Sequence, residues 1–137
     1  LCDALIDLGH KKITIVHSED GFDEISIFAP TNLVYYDGKA KHEIKIHPED
    51  FGIVDYDPDM IKGGDAPTNA KALLELLENK KTPSLNAYRD MVCLNAAFPL
   101  FMMDKVKTPL DGYNLAQELI ATGQVLNTFK TFKDSLS

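Results

Sequence analysis

The fold of this protein is indicated most directly by residues 1–24, LCDALIDLGHKKITIVHSEDGFDE. Leucine and alanine recur at helical spacing from residue 1 to residue 8, and Gly9 follows, which predicts a short helix that ends at the glycine. The next apolar run, ITIV at residues 13–16, is nearly continuous and rich in β-branched residues. Such a run is typical of a strand buried on both faces in the middle of a helix-covered sheet. A helix, a glycine and a buried strand form one half of an α/β crossover unit.

Further strands are predicted in the first third of the chain. The alternation of apolar residues at 25–28 predicts a second strand, which Pro30 ends. Two more strands, at residues 33–36 and 41–46, flank Asp37-Gly38, a pair typical of a two-residue hairpin turn. These strands supply the sheet layer of an α/β domain.

Four helices are predicted after an irregular segment at residues 47–64, which is interrupted by proline and glycine. Asp65 is a suitable N-cap for the first helix, and the second begins near Ser84. Pro99 is expected to kink or divide that second helix. Thr108 begins the third, which ends at Gly123, and a fourth follows. The apolar stripes of the first and last of these helices are Ala66, Ala70, Leu73, Leu74 and Leu77, and Val125, Phe129, Phe132 and Leu136.

Composition and charge indicate a single soluble domain. The chain has 137 residues, 45% hydrophobic and 26% charged, with a formal net charge of −7 and no basic tract. A negative field repels phosphate backbones and anionic membrane surfaces, so we expect neither nucleic acid nor a membrane as a partner. Cys2 and Cys93 are too few and too far apart for a disulfide framework, which favours a reduced, cytoplasmic location.

One loop concentrates the residues that could carry chemistry. Residues 18–24, SEDGFDE, follow the first predicted strand and contain the carboxylates of Glu19, Asp20, Asp23 and Glu24. Ligands of α/β proteins bind outside the carboxyl ends of central strands, and adjacent carboxylates suit hard cations such as Mg²⁺. The alternative is a solvated acidic turn. The four histidines lack the spacing of zinc ligands, and we expect one of them, His17, to be packed.

Five blocks of this sequence resemble, in order and spacing, segments of the anthranilate phosphoribosyltransferases. HSEDGFDEIS at 17–26 is similar to the segment H-G-x-D-G-L-D-E-I-S of that family. PT at 30–31 resembles the end of its G-P-T, and PEDFG at 48–52 resembles its P-E-D-F-G. KGGDAPTNA at 62–70 and RDMVCLNAA at 89–97 resemble its G-G-D-x-x-x-N-A and R-D-x-V-x-L-N-A-A. The departures, Ser18, Phe22, Ala29 and Pro99, leave Asp23 and Glu24 in place.

The resemblance implies a fold, a reaction and a metal site. It implies the C-terminal part of a nucleoside phosphorylase/phosphoribosyltransferase-type α/β domain, with strands first and then a helical tail. The family transfers the 5-phosphoribosyl group of phosphoribosyl pyrophosphate to anthranilate in tryptophan biosynthesis and releases diphosphate. Asp23 and Glu24 match the Asp-Glu pair that binds Mg²⁺ in that family. Because neighbouring residues of an extended segment point to opposite sides, the pair would serve either two ions or one ion through water.

The resemblance also implies what lies outside residues 1–137. We expect this chain to lack the family's N-terminal helical domain, through which the complete protein forms a homodimer, and its glycine-rich G-T-G-G-D loop. Gly63-Gly64-Asp65 shares letters with that loop, but we interpret it as the start of a helix. No catalytic residue is assigned to this chain, its substrate-binding residues stay unassigned, and we expect the isolated chain to be inactive.

Two other interpretations are open at this point. One is a pyrimidine nucleoside phosphorylase, or a non-catalytic relative with the same fold; the Asp-Glu pair argues against the phosphorylase, which needs no Mg²⁺ to bind phosphate. The other is a free-standing α/β interaction module. The sequence begins inside a predicted helix, which we take as an argument against such a module.

Overall fold

A computed structural model describes residues 1–136 and has three strands near the start of the chain, followed by helices. The helices are α1 (Cys2–Asp7), α2 (Ala66–Leu77), α3 (Pro83–Met102), α4 (Pro109–Ala121) and α5 (Gln124–Asp134), the strands are β1 (Ile13–Ser18), β2 (Thr31–Tyr36) and β3 (Lys41–Ile46), and two 3₁₀ helices span Pro48–Phe51 and Pro58–Ile61. This order confirms the predicted α/β class with a helical tail. None of the helices in residues 1–136 is long and apolar enough to cross a membrane.

The sheet is antiparallel, with the order β1-β2-β3. Strand β1 pairs with β2 from Ile13↔Tyr36 to Ser18↔Thr31. Within the described residues β1 therefore lies at an edge, and the predicted central position is wrong there. His17, which we expected to be packed, is exposed. Of the residues in β1 only Ile13 and Ser18 are buried, because the neighbours that cover a strand are set by residues far away in sequence.

Residues 25–28 do not form the second strand that was predicted. Ile25 and Ile27 are buried, with 2% and 4% of their surface exposed, so the alternating pattern did identify core residues. The backbone in this segment is bonded to side chains instead of a neighbouring strand: the amide of Ser26 donates to Thr31 Oγ1 at 3.1 Å. An irregular segment that is anchored in the core produces the same alternation as a strand.

The hairpin between β2 and β3 is present, but its loop has four residues instead of the predicted two. Tyr36 pairs with Lys41, and residues 37–40 connect them. Asp37 Oδ1 accepts hydrogen bonds from the amides of Lys39 and Ala40, at 2.8 and 2.9 Å. Gly38 has φ +98°, a left-handed conformation that glycine adopts without steric cost.

Helix α3 is the centre of the core and is buried on several sides. Its buried apolar residues are Leu85, Ala87, Met91, Cys93, Leu94, Ala97, Phe98 and Met102. Pro99 lies inside α3, which runs on for three residues to Met102, so the proline does not divide it. Helix α4 packs closely on α3 at Gly112, where an added Cβ would lie 2.5 Å from the carbonyl oxygen of Ala97.

The helix boundaries are close to those predicted, because their signals are local. Asp65 caps α2 by accepting a hydrogen bond from the amide of Thr68 at 3.0 Å. Thr108 and Asp111 form a reciprocal capping box at the start of α4. Gly123 separates α4 from α5 with φ +75°.

Only part of each predicted apolar stripe is buried within the described residues. In α2 only Leu77 of the stripe is buried, together with Leu76, while Leu73 and Leu74 are exposed. In α5 Val125 and Phe129 are partly buried against the core, but Phe132 and Leu136 are exposed, as are Ala66 and Ala70 of α2. Helical periodicity identifies an apolar face, but the surface opposite that face decides whether it is buried.

Candidate magnesium site

The acidic loop directly follows β1 and is a tight turn fixed to the segment before β2. The amide of Ser18 donates to the carbonyl of Phe22 at 3.1 Å, and that of Gly21 donates to the carbonyl of Ser18 at 3.0 Å. The amide of Glu19 donates to the carbonyl of Pro30 at 2.9 Å. The backbone at the start of this loop is therefore held before any of its carboxylates is considered.

Two of the four carboxylates in the loop are bonded to other residues of this chain. Asp20 accepts hydrogen bonds from Ser26 Oγ at 2.6 Å and from the amide of Phe22 at 3.3 Å. Burial raises the pKa of Asp20, but the hydrogen bonds from Ser26 and Ser18 outweigh it and leave that pKa below its ordinary value. Glu19 forms an ion pair with Lys45 of β3, and this hydrogen bond lowers the pKa of Glu19.

Asp23 and Glu24 are left without a partner. Both are exposed, and within residues 1–136 neither has a hydrogen bond or an ion pair. Partial burial raises the pKa of Glu24, and the negative charge of Asp23 raises it further. The two carboxylates therefore repel each other, and no cation of the described chain neutralises them. A bound divalent cation would relieve this repulsion.

The segment that carries this pair is anchored to α3 by Asn95. The amide of Ile25 donates to Asn95 Oδ1 at 2.8 Å, and Asn95 Nδ2 donates to the carbonyl of Ile25 at 2.8 Å. Asn95 Nδ2 also donates to the carbonyl of Met91 at 2.9 Å. Sequence reasoning did not predict this link to the acidic loop. The only signal for it was a polar amide on an apolar helix face, because buried polar groups require partners.

The carboxylate oxygens at this site suit a Mg²⁺ ion that takes only some of its ligands from the protein. Residues 1–136 contain no group of three His, Cys, Asp or Glu side chains placed to hold a metal. Mg²⁺ commonly takes only one or two carboxylates and fills its octahedral shell with waters and substrate phosphate oxygens. Asp23 and Glu24 supply that number of carboxylates. Their assignment as metal ligands stays a prediction.

The backbone conformation shows how two further parts of the resembling sequence are used in this structure. Ser18 and Ala29, which replace glycines in the resembling segments, are not among the residues with positive φ, so their side chains cause no strain there. Gly63-Gly64-Asp65 leads into α2 and ends at its N-cap, Asp65, in agreement with the predicted helix start. There the side chain of Asn69 bonds to both the amide and the carbonyl of Gly64, at 2.9 and 3.0 Å.

Comparison with known proteins finds relatives that match most of this chain. An anthranilate phosphoribosyltransferase of Rubrobacter xylanophilus is 33% identical over 132 residues, which are 96% of this chain and 38% of that protein. The enzyme of the same name from Paramagnetospirillum magneticum is 38% identical over 85% of this chain and 33% of its own length. The chain thus spans about a third of the length of these relatives, in their C-terminal portion.

Solved structures show the same architecture. The crystal structure of anthranilate phosphoribosyltransferase from Thermus thermophilus matches with a TM-score of 0.78 and 26% identity, over 95% of this chain and 37% of that one. A variant of the Saccharomyces cerevisiae enzyme with Mg bound matches with a TM-score of 0.81 and 25% identity, over 96% of this chain and 37% of that one. Residues 1–126 match the family described as "Glycosyl transferase family, a/b domain". The chain therefore belongs to the glycosyl transferase family and carries sequence of its α/β domain.

Proposed function

We propose that this chain is the C-terminal part of a Mg²⁺-dependent anthranilate phosphoribosyltransferase and that Asp23 and Glu24 are its metal ligands. The observation that carries the proposal is the unneutralised pair itself. Of the four carboxylates in the loop, Asp20 and Glu19 are engaged by the protein, whereas Asp23 and Glu24 are exposed and free of partners. The named relatives and the Mg-bound yeast structure favour this activity over a nucleoside phosphorylase.

The reaction joins the amine nitrogen of anthranilate to C1 of the ribose 5-phosphate and breaks the bond from C1 to the diphosphate oxygen. The amine loses a proton, and the diphosphate leaves with the bonding electron pair. When bound, the metal neutralises the charge that builds on the diphosphate as C1 becomes cationic. In this chain the contribution of Asp23 and Glu24 is to hold that metal, and Asp20 and Glu19 shape the loop that presents them.

The rest of the activity requires residues outside this chain. Its net charge of −7 makes it a poor binder of a triply phosphorylated sugar without further cations. We propose that an N-terminal helical domain and a glycine-rich loop supply those groups, form the anthranilate pocket and mediate a homodimer. The isolated chain is then inactive, and the complete protein works in the cytoplasm without a nucleic-acid or membrane partner.

The test compares charge-removing variants in the complete protein. Conversion of anthranilate is followed by the loss of its fluorescence, with phosphoribosyl pyrophosphate present and Mg²⁺ varied. The double variant Asp23→Asn, Glu24→Gln is expected to lose Mg²⁺-dependent turnover. A matched control, Glu118→Gln with Asp134→Asn, removes the same charges from the exposed surfaces of α4 and α5 and is expected to behave like the parent.

Two results would contradict the proposal. If the Asp23, Glu24 double variant turns over as fast as the parent at every Mg²⁺ concentration, the loop is a solvated turn and not a metal site. A complete protein that folds but does not convert anthranilate, whether or not Mg²⁺ is present, would refute the transferase activity itself.

A further inference from the structure

We propose that Asn95 is a positioning residue for the metal-binding pair, acting through the backbone of Ile25. The inference rests on the proposed role of Asp23 and Glu24. The side-chain amide of Asn95 forms hydrogen bonds with both the amide and the carbonyl of Ile25, each at 2.8 Å. Ile25 is the residue directly after the pair. A helix 70 residues away in sequence thus fixes the chain at the point where the two carboxylates emerge.

The pair stands between two fixed points. On its N-terminal side the carbonyl of Phe22 accepts from the amide of Ser18, and the amide of Phe22 donates to Asp20. On its C-terminal side Ile25 is held by Asn95 and is itself almost fully buried, with 2% of its surface exposed. Only Asp23 and Glu24 lie between these anchors. Without Asn95, the C-terminal side of the pair is held by the burial of Ile25 and by the bonds of Ser26 to Thr31 and Asp20, and the backbone groups of Ile25 itself lose their partner.

Such an anchor is needed because Mg²⁺ binds well only when its ligands are held in a defined geometry. Mg²⁺ requires near-ideal octahedral geometry, and a functional group must be held to within about 0.5 Å to be effective. Exposed carboxylates on a turn do not meet that requirement by themselves, because nothing in residues 1–136 contacts the side chains of Asp23 or Glu24 through a hydrogen bond or an ion pair. Their positions are therefore set by the backbone.

Asparagine is chemically suited to this task. Its Oδ1 accepts from the Ile25 amide while its Nδ2 donates to the Ile25 carbonyl, as the backbone of a neighbouring strand would. The second proton of Nδ2 goes to the carbonyl of Met91, one turn earlier in α3, and this bond fixes the orientation of the amide. Alanine has neither group, and serine has a single hydroxyl that cannot span both atoms of Ile25.

The experiment measures metal binding and turnover in the complete protein carrying Asn95→Ala or Asn95→Ser. Binding is measured with Mn²⁺ as a spectroscopic probe by electron paramagnetic resonance, in the presence of phosphoribosyl pyrophosphate. The Mn²⁺ dissociation constant and the half-saturating Mg²⁺ concentration for turnover are expected to rise at least about tenfold, as for other residues that orient metal ligands. Turnover at saturating Mg²⁺ is expected to recover to within about threefold of the parent, because the ligands themselves remain.

The control is Tyr113→Phe, which removes a different part-buried hydrogen bond to α3, from Tyr113 Oη to Asp90 at 2.8 Å. It is expected to lower the melting temperature while changing the Mn²⁺ dissociation constant less than about twofold. If Asn95 has a purely structural role, its variants bind Mn²⁺ as tightly as Tyr113→Phe does, once the affinities are corrected for the fraction of folded protein. That result overturns the inference. Failure of both Asn95 variants to fold would assign the amide to global folding and overturn it as well.

The double variant Asp23→Asn, Glu24→Gln separates this inference from the proposed function. If it loses Mn²⁺ binding while the Asn95 variants bind like the parent, only the positioning role falls. If the double variant itself binds Mn²⁺ like the parent, the metal assignment is wrong and the positioning role falls with it.

Discussion

Gly112 is the position where the packing of α3 against α4 leaves least space. A Cβ built on Gly112 would lie 2.5 Å from the carbonyl oxygen of Ala97, 3.0 Å from its Cα and 3.1 Å from its carbonyl carbon. All three are backbone atoms of a buried helix, so no side chain can rotate away to make room. We therefore expect Gly112→Ala to force α3 and α4 apart and to destabilise the protein.

Two opposing effects set the magnitude. Alanine is favoured over glycine inside a helix by about 1 kcal/mol, which stabilises the variant. Overpacking of a well-packed core costs about 1–3 kcal/mol, and a contact with rigid backbone belongs at the upper end of that range. The expected net loss is about 2 kcal/mol of unfolding free energy. With about 2.1 cal/mol/K of unfolding entropy per residue, this lowers the melting temperature by about 7 °C.

The assay is thermal and urea unfolding of the purified chain, followed by circular dichroism. Asn114→Ala is the matched control, because residue 114 is also in α4 but is exposed. That control gains helix propensity without a clash and is expected to be as stable as the parent or slightly more so. If Gly112→Ala is as stable as the parent, the close approach of α4 to Ala97 places no constraint on the size of residue 112, contrary to the prediction.

Two further predictions concern ionisable groups. Hydrogen bonds from the amides of Ala40 and Lys39, with a contribution from His42, lower the pKa of Asp37 from 3.8 to about 2. Because the folded pKa lies below the unfolded one, the stabilisation of the hairpin is complete above pH 4 and is lost as the pH falls through about 2; a carboxyl titration by NMR with a midpoint near 3.8 would contradict this. Burial, with a smaller effect from the charge of Asp90, raises the pKa of the Cys93 thiol to about 12. In a Cys2→Ser protein at pH 8, Cys93 is therefore expected to react with a disulfide reagent only after unfolding, and rapid labelling of the folded chain would show that this part of the core opens.

The sequence alone determined the features that depend on neighbouring residues. The capping box of Thr108 and Asp111, the cap at Asp65 and the glycine at 123 located the helix ends, because each signal acts within about one turn. The hairpin arms were recognisable for the same reason, although the loop between them proved to have four residues. The blocks of resembling sequence indicated a family, and residues 1–126 match the family described as "Glycosyl transferase family, a/b domain".

Which groups meet depends on contacts between distant segments. The tertiary structure placed β1 beside β2 alone within the described residues and kept residues 25–28 out of the sheet. It also divided four similar carboxylates into two that are bonded and two, Asp23 and Glu24, that are free. The bond from Asn95 to Ile25 joins residues 70 positions apart. Local patterns specify the conformation and the apolar face of each segment, but the partner of a face or of a polar group is set by segments distant along the chain, which no local pattern encodes.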